Sequence, residues 1–135
     1  MTSQQDIVDD FEMFDDWMDR YAHIIELGKD LPLLDASQKT DDRLIEGCQS
    51  RVWLAADYDA STQLMHFRAD SDAIITKGLV ALMIQVLDGR SPEEIAKVDL
   101  WFIDKIGLAS HLSPTRANGL LSMVHTMKRA ALAHC

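Results

Sequence analysis

A chain of 135 residues with 47% apolar and 26% charged residues has the size and make-up of one globular domain, residues 1–135, able to bury a core. Its 13 basic residues against 22 acidic ones leave a net charge of −9, a field of the wrong sign for a nucleic-acid backbone. No apolar run is long enough to span a bilayer, and the polar then acidic start, Met1 to Asp6, resembles neither a signal peptide nor an Arg-rich transit peptide, so a cytoplasmic location is expected.

From Ser3 onward, Ile7, Phe11, Phe14, Met18, Tyr21 and Ile25 recur every three or four positions. That period predicts one amphipathic helix facing the core, with Ser3 as its N-cap and Gly28 as its stop. The acids Asp6, Asp9, Asp10, Glu12, Asp15, Asp16 and Asp19 fall on its solvated side, or on a docking surface for a basic partner. The period is lost between Lys29 and Arg43, where Pro32 and a run of polar residues predict a loop. Val52–Tyr58 and Leu64–Ala69 are rich in strand formers, and Asp59–Thr62 between them reads as the turn of an antiparallel hairpin. Leu44 and Ile45 are placed to add a short strand.

Ser71 is the expected cap of a helix from about Asp72 to Leu87, which carries Gly78 in its interior. Ser91-Pro92-Glu93-Glu94 is a helix start, with an N-cap, a proline at the first position and a glutamate at the third. It opens a short helix to about Lys97. A second short helix, Leu100 to Ile106, is expected to stop at Gly107, and Ser113-Pro114 opens a last one to about Leu132. Helix, hairpin and helices in that order predict an α+β fold: a small antiparallel β-sheet packed on one face by helices.

The chemistry narrows to Cys48. Only Cys135 accompanies it, at the last position, so no CxxC pair, zinc pattern or iron–sulfur ligand set is present in the sequence. A lone cysteine has two readings here. It can fill space as a small hydrophobe, or Gly47 can carry it on a turn at the mouth of a strand, offered outward. A reactive thiol needs a positive charge or helix N-terminus nearby, because the thiolate is the nucleophile. Arg51 is close in sequence but points away by strand alternation. Arg116 lies in the first turn of the last helix, where a cation opposes the helix dipole. It is there either to pair with an acid or to serve the thiol. None of His23, His66, His111, His125 and His134 lies in a recognisable Cys–His setting. One thiol with no resolving partner can carry a group, sense oxidants or fill space. Sulfur carriage suits it, since a thiolate attacks the outer sulfur of a persulfide as in thiol–disulfide exchange.

Gly47-Cys48-Gln49-Ser50-Arg51-Val52-Trp53 resembles the signature of the SufE family of cysteine desulfuration proteins, including its CsdE branch. Three further blocks match in order and spacing: Ile24–Gly28 with Leu31-Pro32, Asp70–Ala73 leading to Lys77-Gly78-Leu79, and Leu112–Pro114 with Arg116 and Asn118-Gly119. The resemblance covers roughly residues 5–132 and implies a two-layer fold similar to that of iron–sulfur scaffold proteins. It implies that Cys48 accepts persulfide sulfur from a SufS- or CsdA-like cysteine desulfurase, stimulates that enzyme, and passes sulfur to an iron–sulfur assembly complex. Gly47, Gln49, Ser50, Asp72 and Arg116 would support the cysteine or contact the partner. The chain would need no metal or cofactor of its own, the pyridoxal phosphate belonging to the desulfurase. It would act as a sulfur-transfer partner and not as a stand-alone catalyst, with a homodimer suggested by analogy. The competing reading is a non-catalytic interaction module that regulates a partner enzyme docked on the acidic first helix and the exposed loop.

Overall fold

The helix expected from Ser3 to Gly28 is two helices. The structure, a computed structural model, describes residues 3–48 and 50–135. α1 (Gln4–Glu12) opens on a reciprocal capping box between Ser3 and Asp6, and α2 (Trp17–Gly28) opens on Asp16, whose carboxylate accepts the Asp19 N–H at 2.9 Å. The break at Met13–Asp16 follows from aspartate chemistry. A short carboxylate binds backbone N–H groups well at a helix start and competes with the helix inside one. Arg20 donates to the Phe14 carbonyl across the gap. The apolar stripe shifts as a result. Ile7, Val8, Phe11 and Ile24 are buried, whereas Met18, expected on the core face, is 81% exposed. All seven acids of this region are exposed, spread over two helices and their link.

β1 (Val52–Asp59) and β2 (Leu64–Ser71) pair antiparallel, from Val52 opposite Ser71 to Asp59 opposite Leu64. The inner face carries Val52 and Leu54 with Met65, Phe67 and Ala69, all buried. The free edge of β2 is not left open. The Met65 N–H donates to the Arg90 carbonyl, the Phe67 N–H to the Asp88 carboxylate and the Ala69 N–H to the Pro32 carbonyl, which removes a template for pairing with another chain. The outer face is covered by the loop expected from Lys29 to Arg43, which contains two short 3₁₀ turns, Ala36–Gln38 and Asp41–Arg43. There Lys39 pairs with Asp70 and lies over the Trp53 ring, and Arg68 bonds Gln38.

α3 (Ile74–Leu87) is the interior element, buried at Thr76, from Gly78 to Ile84, and at Val86 and Leu87. Ser71 does not cap it. That residue ends β2, and its hydroxyl accepts the Ala73 N–H and donates to the Arg51 carbonyl. Ala73 holds the N-cap position without a side-chain bond. Gly28 and Gly78 meet where α2 crosses α3: a Cβ on Gly28 would lie 3.1 Å from the Gly78 nitrogen, and one on Gly78 would drive into the Ile24 backbone, 2.7 Å from its carbonyl carbon. Gly28 thus ends α2 in a packing role as well. α4 (Pro92–Lys97) begins on Ser91 as expected, α5 is a single turn (Phe102–Lys105) before Gly107, and α6 runs Pro114–Leu132 from its Ser113 cap.

Gly78→Ala would gain about 1 kcal/mol in a free helix. At this crossing it is expected to lose about 2–3 kcal/mol and about 10 °C of Tm instead. Thermal unfolding decides, and an unchanged or raised Tm would contradict the close approach.

Candidate functional site

Leu44 bridges Trp53 antiparallel, and the Ile45 N–H donates to the Val52 carbonyl at 2.8 Å. The short strand expected at Leu44–Ile45 is reduced to this one bridge because the chain turns sharply at once. Gly47 has φ +88°, a region open to glycine, and a side chain there would strike the Ser122 hydroxyl on α6. The chain returns at Arg51, whose N–H donates to the Asp72 carboxylate at 3.0 Å and whose carbonyl accepts from the Asp72 N–H and the Ser71 hydroxyl. Residues 46–48 and 50–51 therefore belong to a tip tied at both ends of its base, with Cys48 on it.

The Cys48 side chain turns inward. It is half-buried, and its thiol donates to the Gly119 carbonyl of α6 at 3.6 Å. Beside it lies a cavity of about 10 Å³, the room of a single water-sized atom. Its walls are Ser50 from the tip, Thr76 and Leu79 from α3, and Thr115, Arg116, Gly119 and Met123 from α6. The first turns of two long helices thus converge on one sulfur. Burial pushes the thiol up from its ordinary range. Two helix first turns face the same spot, and a helix N-terminus favours an anion.

Among the sequence-predicted residues, Cys48, Ser50 and Arg116 come together at the cavity, and Gly47 makes the turn that puts Cys48 there. Arg116 is exposed in the first turn of α6 and has no acidic partner among the described residues. Asp72 does not line the cavity. It holds the base of the tip through Arg51. Arg51 is exposed and points elsewhere, as alternation predicts. Gln49 lies outside the described residues. Thr76, Leu79, Gly119 and Met123 were not singled out as site residues from the sequence. Only Gly119, a glycine inside a helix, left a local signal. The histidines are engaged away from the thiol: His23 against Phe11 and Phe14, His66 beside Asp88, His111 stacked on Trp17 and His134 on Tyr58, with His125 exposed on α6. No metal-binding group of residues occurs among the described residues.

Behind the tip, Asp70 is only 8% exposed, with Lys39 at 2.7 Å and Lys77 at 3.5 Å. Burial alone would raise its carboxyl. The Lys39 hydrogen bond, the Ser71 N–H and the charges of Lys77 and Lys39 outweigh it and hold the group below the usual carboxylate range.

The site is thus one half-sheltered thiol on a tied tip of a two-layer α+β domain, against the first turns of two helices. The model of the SufE family, described as an Fe-S metabolism associated domain, matches residues 5–131. The chain is 45% identical over 134 residues to an uncharacterized SufE-like protein of Rhizobium meliloti (strain 1021), covering 97% of this chain and 96% of that one. It is 39% identical over 128 residues to SufE-like protein 1, chloroplastic/mitochondrial, of Arabidopsis thaliana, covering 95% of this chain and 34% of that longer protein. A solution structure of a hypothetical protein from Thermus thermophilus superposes with a TM-score of 0.78 at 18% identity, covering 97% and 94% of the two chains, and shares the fold. The chain belongs to the SufE family, and this supports a sulfur-transfer role related to Fe–S metabolism. No helix of the described residues is long and apolar enough to cross a membrane.

Because burial raises the Cys48 thiol, iodoacetamide at pH 7 is expected to modify exposed Cys135 first and Cys48 about tenfold more slowly, the Cys48 rate climbing through alkaline pH. Peptide mass spectrometry reads both sites; equal rates would contradict the sheltered thiol. The Asp70 carboxyl, depressed in the folded state, stabilises the fold above the unfolded-state value and loses that contribution as pH falls below about 4. Asp70→Asn is expected to cost about 2–3 kcal/mol at pH 7. The Tm gap from the parent should close towards pH 3, whereas a constant gap would mean the carboxylate charge is not what matters.

Proposed function

We propose that the protein is a sulfur acceptor. Cys48 takes the outer sulfur from the persulfide of a cysteine desulfurase, stimulates that enzyme by clearing it, and hands the sulfur on to an iron–sulfur assembly complex. The observation that carries this reading is the setting of Cys48: a lone thiol on a glycine-turned tip, beside a cavity of about 10 Å³. That is shelter for one added atom and too little for a peptide or a metabolite.

In the transfer, the Cys48 thiolate attacks the outer sulfur of the donor persulfide. A new S–S bond forms on Cys48, the donor S–S bond breaks, and the donor cysteine leaves with the electron pair as a thiolate. The sulfane sulfur changes hands with no net oxidation, so no outside oxidant is needed. At rest the raised thiol keeps Cys48 protonated and unreactive towards stray electrophiles. For transfer the tip has to turn outward, with its base at Ile45–Val52 and Arg51–Asp72 as the fixed ends. On return, Arg116 and the first turns of α3 and α6 stabilise the negative charge of the loaded sulfur. Asp72 serves by holding the base of the tip, and Gly47 by making its turn. Gln49 and Ser50 flank the thiol in sequence and would meet the donor when the tip is out. The pyridoxal phosphate of the reaction is the donor's.

The test is incubation with a cysteine desulfurase and cysteine, followed by mass spectrometry under non-reducing conditions. One added sulfur atom is expected on the Cys48 peptide, with Cys135→Ser loading normally. Cys48→Ser should gain nothing and lose the stimulation of desulfurase turnover. Full stimulation by Cys48→Ser would replace the carrier with a binding-only regulator. Arg116→Ala is expected to fold normally and load about tenfold more slowly, the loss of one charge-assisted interaction of about 1.4 kcal/mol.

A further inference from the structure

Thr76 is an unusual wall for a sulfur shelter. It sits in the first turn of α3, is only 6% exposed, and lines the cavity beside Cys48. A buried hydroxyl ordinarily finds a partner, since leaving one unpaired costs about 1–3 kcal/mol. The cavity is lined by apolar Leu79 and Met123 and by polar Ser50, Thr115 and Arg116, and the Gly119 carbonyl already accepts the Cys48 thiol. The Thr76 hydroxyl makes no hydrogen bond with any described residue, in contrast to the Ser71 and Ser113 hydroxyls at the same helix ends, which bond backbone N–H groups. Every fully enclosed side-chain oxygen and nitrogen of the described residues has a partner, so the unbonded Thr76 oxygen keeps some accessible surface, and Thr76 is a wall of the cavity. A β-branched threonine in a helix is also stiff, so the hydroxyl has few directions in which to escape.

We propose that Thr76 is the hydrogen-bond donor to the sulfur carried on Cys48, a positioning residue that holds the outer sulfur of the persulfide as an anion inside the cavity. This rests on the sulfur-acceptor reading. The cavity supplies the space, α3 supplies the hydroxyl from a turn whose free N–H groups already favour negative charge, and the bare thiol leaves the hydroxyl idle. The group is used only when the extra sulfur is present. The bond would lower the tendency of the outer sulfur to be protonated, and an anionic persulfide is a poorer target for attack by a reducing thiolate. In that attack the reductant's sulfur bonds to the outer sulfur, the S–S bond to Cys48 breaks, and Cys48 leaves as a thiolate with the electron pair. Thr76 thereby sets how long the cargo survives before delivery.

The test loads Cys48 with a small-molecule hydropersulfide, without any desulfurase, and follows loss of the added sulfur to dithiothreitol by mass spectrometry. Thr76→Val keeps shape and removes the hydroxyl; Thr76→Ser keeps the hydroxyl and removes the methyl. The parent and Thr76→Ser are expected to hold the sulfur with similar half-lives, and Thr76→Val to lose it about fivefold faster, the effect of one hydrogen bond of about 1 kcal/mol. Matching melting curves establish that all three fold. Equal half-lives for the parent and Thr76→Val, or equally shortened ones for both variants, would overturn the role of the hydroxyl while leaving the carrier reading intact. If the parent itself takes up no sulfur from the small donor or from a desulfurase, the carrier reading fails and this role goes with it.

Discussion

The structure depends on how closely α2 and α3 are allowed to approach. Gly28 and Gly78 put backbone against backbone at the crossing, where a single methyl on Gly78 would overlap the Ile24 peptide. That contact sets the position of α3, which is buried almost all round and has the hairpin, α2 and α6 against it. The first turn of α3 then falls beside the tip that carries Cys48. A change at the crossing, far from any chemistry, would move Thr76 and the dipole end of the helix relative to the sulfur. Packing in a close-packed interior is not adjustable by tenths of a residue, so the site inherits its precision from this contact.

Around Cys48 two influences oppose each other. Burial disfavours a thiolate and keeps the resting cysteine protonated, while two helix first turns, which favour negative charge, face the same small space. A simple thiol loses more from burial than it gains. On the proposed sulfur-acceptor reading, a persulfide would place its charge one atom farther out, towards the cavity walls. On that reading one geometry would hold the empty form quiet and the loaded form charged. The ties at the base of the tip, Ile45 to Val52 and Arg51 to Asp72, fix where it leaves the sheet.

Much of the fold was legible residue by residue. The hairpin lies where strand formers alternate around Asp59–Thr62, and the starts of α4 and α6 were marked by Ser-Pro caps whose side chains do accept the expected N–H groups. The failures share a cause. The break at Met13–Asp16 and the idle cap at Ser71 were misjudged because apolar spacing can be continued across a short interruption, and because a serine hydroxyl can serve a strand end as readily as a helix start. Met18 kept the right spacing on the wrong helix.

At the site, Cys48, its glycine turn and the misplaced cation Arg116 were readable, since each departs from what its local position favours. Thr76, Leu79 and Met123 were not, because each is an ordinary residue for its helix and acquires meaning only from what lies across the cavity. By itself the sequence determined the fold class and the family and singled out Cys48 as the candidate thiol, all being local patterns or matches along the chain. The tertiary structure alone decided that the thiol faces inward, that two helix ends converge on it, and that a buried hydroxyl waits beside it. These are relations between residues far apart in sequence, set by packing, and no period or motif along the chain encodes them.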